Sequence, residues 1–343
     1  MSRGQRPPVT GALGAASRLN TPRSDDPRPA ELRPAELRFD GRVAVVTGAG
    51  SGLGREYALL LAARGASVLV NNRAAQTAAS GDPSPAELVA ARIREAGGDA
   101  IADNHCVESA DAGQAIVDHA LGAFGRLDIL INNAGGVRDK SFANMSAEAF
   151  ENVLDVHLLG AFYTASPAWA AMREQRYGRI LNVTSAAGLL GNFGQANYGA
   201  AKMGLVGLTK TLAVEGKKYN IHANALAPMG RTKMNEGLLD EDVQLDPGQV
   251  APVACYLVHE NCPATGEIYS AAGGRFARYF IGLTQGYYQH DLDIESVRDH
   301  FDLASSTDGY LEPRAPEQEL AIIVSAAESA GQHAARRAPA EQL

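Results

Sequence analysis

Five short β-branched runs alternate with helix-length stretches along this chain, and that alternation constrains its fold more than any other feature. The runs are Val43–Thr47, Ser67–Asn71, Leu127–Asn132, Arg179–Thr184 and Ile221–Ala227. Between and after them lie helical patterns at Leu53–Arg64, Ala86–Ala96, Ala112–Ala123, Ala147–Met172, Gln195–Glu215 and Val250–His259. Strands that are apolar on both faces need cover on both sides, and parallel neighbours need helical crossovers. Because such crossovers are right-handed, the expected architecture is a doubly wound, parallel α/β sheet in one domain. Residues 38–282 are assigned to that domain. Residues 1–37 hold a doubled Arg-Pro-Ala-Glu-Leu and few large apolar groups, so they are read as a flexible leader. Residues 283–343 form a C-terminal extension, read as a packed cap or oligomer arm and loose from about Gln332. The alternative for its aromatic part is a wall of the substrate pocket.

Charge and composition narrow the partners. A net charge of -8 and a pI near 5.5 argue against nucleic acid. Cys106, Cys255 and Cys262 lack a disulfide framework or a zinc-ligand spacing, which points to a reducing compartment. The sequence carries neither a membrane-length apolar run nor a secretory h-region, so a cytoplasmic protein with no membrane partner and no metal is expected.

The first strand runs into Gly48-Ala49-Gly50-Ser51-Gly52-Leu53-Gly54 and then a helix. Glycine lets the backbone turn sharply and approach a phosphate, while the N–H groups at the helix start favour the anion. Gly48, Ser51, Gly52, Leu53 and Gly54 are therefore candidate cofactor contacts, in a spacing that differs from Gly-x-Gly-x-x-Gly. In this place the turn implies a Rossmann-type dinucleotide site. The second strand ends Asn71-Asn72-Arg73. An acidic residue there would bind the adenosine ribose and repel a 2′-phosphate, whereas Asn72 is neutral and Arg73 suits such a phosphate. NADP is favoured over NAD. An ordinary solvated arginine is the alternative for Arg73.

Tyr198 and Lys202 stand four residues apart in a predicted helix, so both side chains share a face. A tyrosine with an ordinary pKa near 10 is a poor base, and an adjacent ammonium is expected to favour its phenolate. Ser185, thirteen residues earlier, sits just past a strand end, where its hydroxyl could bond a substrate carbonyl oxygen. Tyr-x-x-x-Lys alone is common in helices. With Ser185 and the glycine turn it specifies proton transfer beside a nicotinamide cofactor.

Together, Thr47–Gly54, Asn132-Asn133-Ala134-Gly135, Ser185 and Tyr198-Gly-Ala-Ala-Lys202 resemble the short-chain dehydrogenase/reductase family across roughly residues 38–275. Leu37–Val43, Arg138–Phe142, Val156-His157-Leu158 and Gly191–Tyr198 resemble one branch. That branch holds the (3R)-hydroxyacyl-CoA dehydrogenase region of peroxisomal multifunctional enzyme type 2 and its bacterial relatives. The resemblance implies hydride exchange between NAD(P) and a secondary alcohol or ketone. By it, Tyr198 is the acid/base, Lys202 also holds the nicotinamide ribose, Ser185 orients the carbonyl, and Asn133, Ala134, Gly135 and Pro228 border the cofactor. A homodimer or homotetramer is implied in the same way.

The sequence departs from the family pattern at three places. His157 replaces the asparagine of a water relay, and an imidazole can bond a water in either tautomer, so it is kept as a catalytic candidate. His105 stands where an acidic residue often reads adenine. Pro228 is followed by Met229 instead of glycine, which predicts a different backbone path. The leading expectation is an oxidoreductase acting on the small-molecule substrate class of 3-hydroxyacyl or 3-ketoacyl thioesters. A steroid-like or other bulky alcohol is the rival substrate, and a non-catalytic nucleotide-binding regulatory protein is the reading from another class.

Overall fold

The computed structural model describes residues 36–74, 82–232 and 245–337. Eight strands form one sheet in the order β3-β2-β1-β4-β5-β6-β7-β8. They are β1 (Val43–Val46), β2 (Ser67–Asn71), β3 (Asp99–Asp103), β4 (Ile129–Asn132), β5 (Gly178–Val183), β6 (Ile221–Met229), β7 (Ile268–Ala272) and β8 (Arg275–Tyr279). The first seven pair in parallel, and β8 closes the edge antiparallel to β7. All five strands expected from β-branched runs form. β3, β7 and β8 are additions, the last of them antiparallel.

The helices follow the expected crossovers. They are α1 (Gly52–Ala63), α2 (Pro85–Glu95), α3 (Ala110–Phe124), α4 (Ala147–Leu154), α5 (Gly160–Gln175), α6 (Ala186–Leu190), α7 (Ala196–Gly216) and α8 (Ala251–Leu257). Their apolar residues fill two cores, one on each face of the sheet. Val46, Tyr57, Leu61 and Val70 lie in one, and Val45, Leu69, Ile116 and Met172 in the other. Alternate residues of β1 and β2 thus face opposite cores, as a doubly covered parallel sheet requires. The single long helix expected over Ala147–Met172 is divided by one wide π-type turn at Asp155–Leu159. After β8 come α9 (Ile294–Asp299), α10 (Phe301–Ser305) and α11 (Pro316–Arg337). The tail expected to be loose from Gln332 is helical as far as Arg337, consistent with the strong helix formers Ala334, Ala335, Arg336 and Arg337. The flexible leader lies outside the described residues, apart from Glu36 and Leu37.

Candidate active site

β1 has β2 on one side and β4 on the other, so the strand order reverses there and a crevice opens beyond the carboxyl ends of the strands. The glycine turn fills the floor of that crevice. Gly48 and Gly52 hold φ of 64° and 56°, in the left-handed region open to glycine. A Cβ on Gly48 would also lie 2.7 Å from Ala134 Cα. Ser51 precedes α1 without capping it through its side chain, and the first turn of α1 holds no acidic residue. Those N–H groups and the positive helix end suit a pyrophosphate, so the residues present fit a dinucleotide. Thr47 Oγ1 accepts the N–H groups of Asn133 and Ala134 at 3.0 and 3.1 Å, and Asn133 Nδ2 donates to Thr47 O and Gly48 O. The segment Asn133–Gly135 is thereby joined to the turn. Leu53 and Gly230 approach each other across it, a Cβ on Gly230 meeting Leu53 Cδ2 at 3.3 Å. Pro228 and Met229 continue β6, in register with Ala271 and Ala272. The glycine missing after Pro228 thus appears one residue later.

Asn72 stands over the turn, since a Cβ on Gly50 would lie 2.8 Å from its Cγ. Arg73 is open to solvent, with its side chain 74% exposed and Nη1 3.5 Å from Glu108 Oε1. His105 is exposed, and its Nδ1 lies 2.9 Å from Asp103 Oδ2, as does Nδ1 of His119. Burial raises the Asp103 carboxyl, and hydrogen bonds from His119, His105 and Asn71 outweigh it to hold the group below its ordinary value.

The other side of the crevice carries Ser185, Tyr198 and Lys202. Ser185 lies two residues past β5 and caps α6, its Oγ accepting from Ala187 N at 3.2 Å. Tyr198 and Lys202 project from α7, with Lys202 Nζ 5.5 Å from the Tyr198 ring centre. Lys202 is buried and donates to Val183 O at 2.6 Å, and burial brings its pKa down to about 7. Tyr198 is raised above the ordinary phenol value, chiefly by burial, with Asp139 adding to the rise and the Ser185 hydroxyl opposing it. The expected lowering by an adjacent ammonium does not prevail, because desolvation acts on both members of the pair.

His157 sits in the π-type turn and packs edge-on to the Tyr198 ring, 5.1 Å between centres and 90° between planes. Its Nε2 lies 2.7 Å from Gly136 O, and Nδ1 is buried without a partner. Burial, with Lys202 adding to it, drives the imidazole down to about 3, so it is neutral at physiological pH. The packing is tight enough that a Cβ on Gly135 would lie 2.0 Å from His157 Cε1. A chain of buried side chains, Thr164 to Asn132 to Asn182 to Thr209, ties β4 and β5 to α5 and α7 behind this site at 2.7–2.9 Å. Of these four, sequence reasoning singled out only Asn132, as part of the Asn132–Gly135 motif.

The sequence profile described as short chain dehydrogenase matches residues 42–242. The chain belongs to the short chain dehydrogenase family. Family membership makes it an oxidoreductase with a nicotinamide dinucleotide cofactor. It is similar to the peroxisomal multifunctional enzyme type 2 of Mus musculus, 42% identical over 294 residues, which are 84% of this chain and 40% of that one. It is also similar to a 3-oxoacyl-[acyl-carrier-protein] reductase of Synechocystis, 40% identical over 244 residues, covering 71% of this chain and 94% of that one. Among solved structures, the full-length peroxisomal multifunctional enzyme type 2 of Drosophila melanogaster superposes with a TM-score of 0.74 at 37% identity. That match covers 85% of this chain and 50% of the other, so this chain spans half or less of the length of these two multifunctional relatives. Among the described residues, no helix is long and apolar enough to cross a membrane.

Proposed function

We propose that this short chain dehydrogenase interconverts 3-ketoacyl and 3-hydroxyacyl thioesters, with NADP favoured over NAD. The observation that carries the reading is the trio of half-buried Ser185 and Tyr198 with buried Lys202, set across one crevice from the glycine turn. The nicotinamide ring supplies a hydride in reduction and takes one in oxidation. Ser185 orients the substrate carbonyl through its hydroxyl. In the reducing direction Tyr198 gives its phenolic proton to the carbonyl oxygen as the hydride reaches the carbon, and burial keeps that proton on the phenol beforehand. In the oxidising direction the same oxygen accepts the alcohol proton. Lys202 would hold the cofactor ribose, and Gly48, Ser51, Gly52, Leu53, Gly54, Asn72, Asn133, Ala134, Gly135 and Pro228 would border the rest of the dinucleotide. Arg73 reads a 2′-phosphate from its exposed position at the end of β2. His157 acts as a neutral support to the Tyr198 ring.

Two observations support an acyl substrate over a small ketone. Phe142, Leu190 and Phe193 stand out as exposed apolar groups on the two segments that flank the site. Those segments are joined, Lys140 N–H donating to Gly194 O at 2.9 Å. The Synechocystis relative is named for a 3-oxoacyl thioester. A homodimer or homotetramer is in keeping with the family. The free thiols of Cys106, Cys255 and Cys262 are in keeping with a reducing compartment such as the cytoplasm. The test is a panel of 3-ketoacyl thioesters, steroid-like ketones and short ketones, followed by NADPH or NADH absorbance. Preferred turnover of a thioester with NADPH supports the reading, preferred turnover of a steroid-like ketone replaces the substrate, and no turnover of any member overturns it.

A further inference from the structure

Asn197 directly precedes Tyr198, and its side chain is completely buried. It lies in the first turn of α7, whose flanking residue Gln195 makes no side-chain cap. N–H groups in a first helical turn have no partner within their own helix. Here the Tyr198 N–H donates to Asn197 Oδ1 at 2.8 Å. The other end of the amide reaches away from α7: Nδ2 donates to Arg138 O at 3.1 Å and to Ala149 O at 2.9 Å. Two carbonyl acceptors on one side and an N–H donor on the other fix which end of the amide is which. One side chain thus links the Tyr198 backbone to the segment after β4 and to the first turn of α4.

The same segment grips Tyr198 a second time. His157 is held to Gly136 through Nε2 and presents its edge to the Tyr198 ring. The start of a helix is ordinarily where it frays. A proton-transfer group placed there needs an external hold, because displacements near 1 Å can reduce turnover on the order of a hundredfold.

We propose that Asn197 is a positioning residue, its amide fixing Tyr198 against the Arg138 and Ala149 carbonyls. The inference rests on Tyr198 as the proton-transfer group. Aspartate would place an oxygen against two carbonyl oxygens, and serine is too short to span the three partners.

The experiment compares the full chain with Asn197→Asp and Asn197→Ser. Steady-state kinetics with NADPH and a 3-ketoacyl thioester give kcat and KM, fluorescence gives NADPH affinity, and thermal melting gives stability. Ultraviolet difference titration against Tyr198→Phe follows the ionisation of Tyr198 itself and needs no substrate. The expected result is a loss of kcat of about tenfold or more, with KM and NADPH affinity within about threefold and a displaced Tyr198 titration. Folded variants with unchanged kcat and an unchanged titration, whatever their melting temperature, overturn the proposal. Should Asn197→Ser fail to fold, Asn197→Asp keeps the shape and the bond to the Tyr198 N–H and decides alone. Absence of wild-type turnover on the substrate panel overturns the proposed function, while the titration still decides the role of Asn197.

Discussion

Gly135→Ala is expected to be among the most disruptive single-methyl changes in this protein. The added Cβ would lie 2.0 Å from His157 Cε1, 2.7 Å from Nδ1 and 2.9 Å from Nε2. Carbon contacts settle near 3.5–4.0 Å, so the imidazole must move by about 1.5 Å. It has nowhere to go without loss, being buried, bonded to Gly136 and edge-on to Tyr198. Overpacking costs about 1–3 kcal/mol and a broken buried hydrogen bond about 1–3 kcal/mol, giving a destabilisation of roughly 2–6 kcal/mol. Urea unfolding of wild type and variant measures it, and kcat should fall as well because the support of Tyr198 has shifted. Adding His157→Asn, the residue usual in the family, removes the clashing ring atoms. The double variant should regain at least about 1 kcal/mol relative to Gly135→Ala alone. A Gly135→Ala protein within about 0.5 kcal/mol of wild type, or strictly additive substitutions, would refute the packing argument.

Two further outcomes follow from the charges. His157 is held near 3 in the fold against an ordinary 6.5, so below pH 6.5 the unfolded chain binds a proton that the fold refuses. Stability should therefore decline as pH falls from about 6.5 towards 3, by up to roughly 4–5 kcal/mol, and His157→Asn should remove that part of the slope; identical slopes in the two proteins would contradict it. Arg73→Ala should weaken NADPH binding on the order of tenfold or more and leave NADH nearly unchanged, since only the former carries a 2′-phosphate. Isothermal titration with both cofactors checks this, and equal losses would remove Arg73 from the phosphate.

How much of this was legible beforehand depended on the kind of signal. The strands at Val43, Ser67, Leu127, Arg179 and Ile221 were readable because central parallel strands are continuously apolar. β3, with the sequence Asp-Ala-Ile-Ala-Asp, carries a single β-branched residue and owes its conformation to pairing with β2. β7 and β8 depend on each other as an antiparallel pair at the sheet edge, a tertiary relation that local periodicity does not register. The break at Asp155–Leu159 was hidden for a similar reason, since an apolar helical pattern persists on both sides of the wide turn. In the site, Ser185, Tyr198, Lys202 and the glycines were readable from spacing. The direction of the Tyr198 shift was not, because proximity of a cation is visible in a sequence and desolvation is not. Asn182 and Thr209 gave no signal, and Asn132 and Asn197 appeared only as members of motifs, with nothing to mark their buried bonds. A buried amide identifies itself only through its partners, here Arg138 and Ala149 for Asn197.

The central claim is that Tyr198 transfers the proton in a hydride exchange set up by the glycine turn. The most direct measurement is single-turnover reduction of a 3-ketoacyl thioester by NADPH in wild type and Tyr198→Phe, with NADPH affinity determined for both. The account predicts unchanged NADPH binding and a rate reduced on the order of a thousandfold or more, because only the proton-transfer group is removed. A Tyr198→Phe protein that binds NADPH and retains a rate within about tenfold of wild type would contradict it.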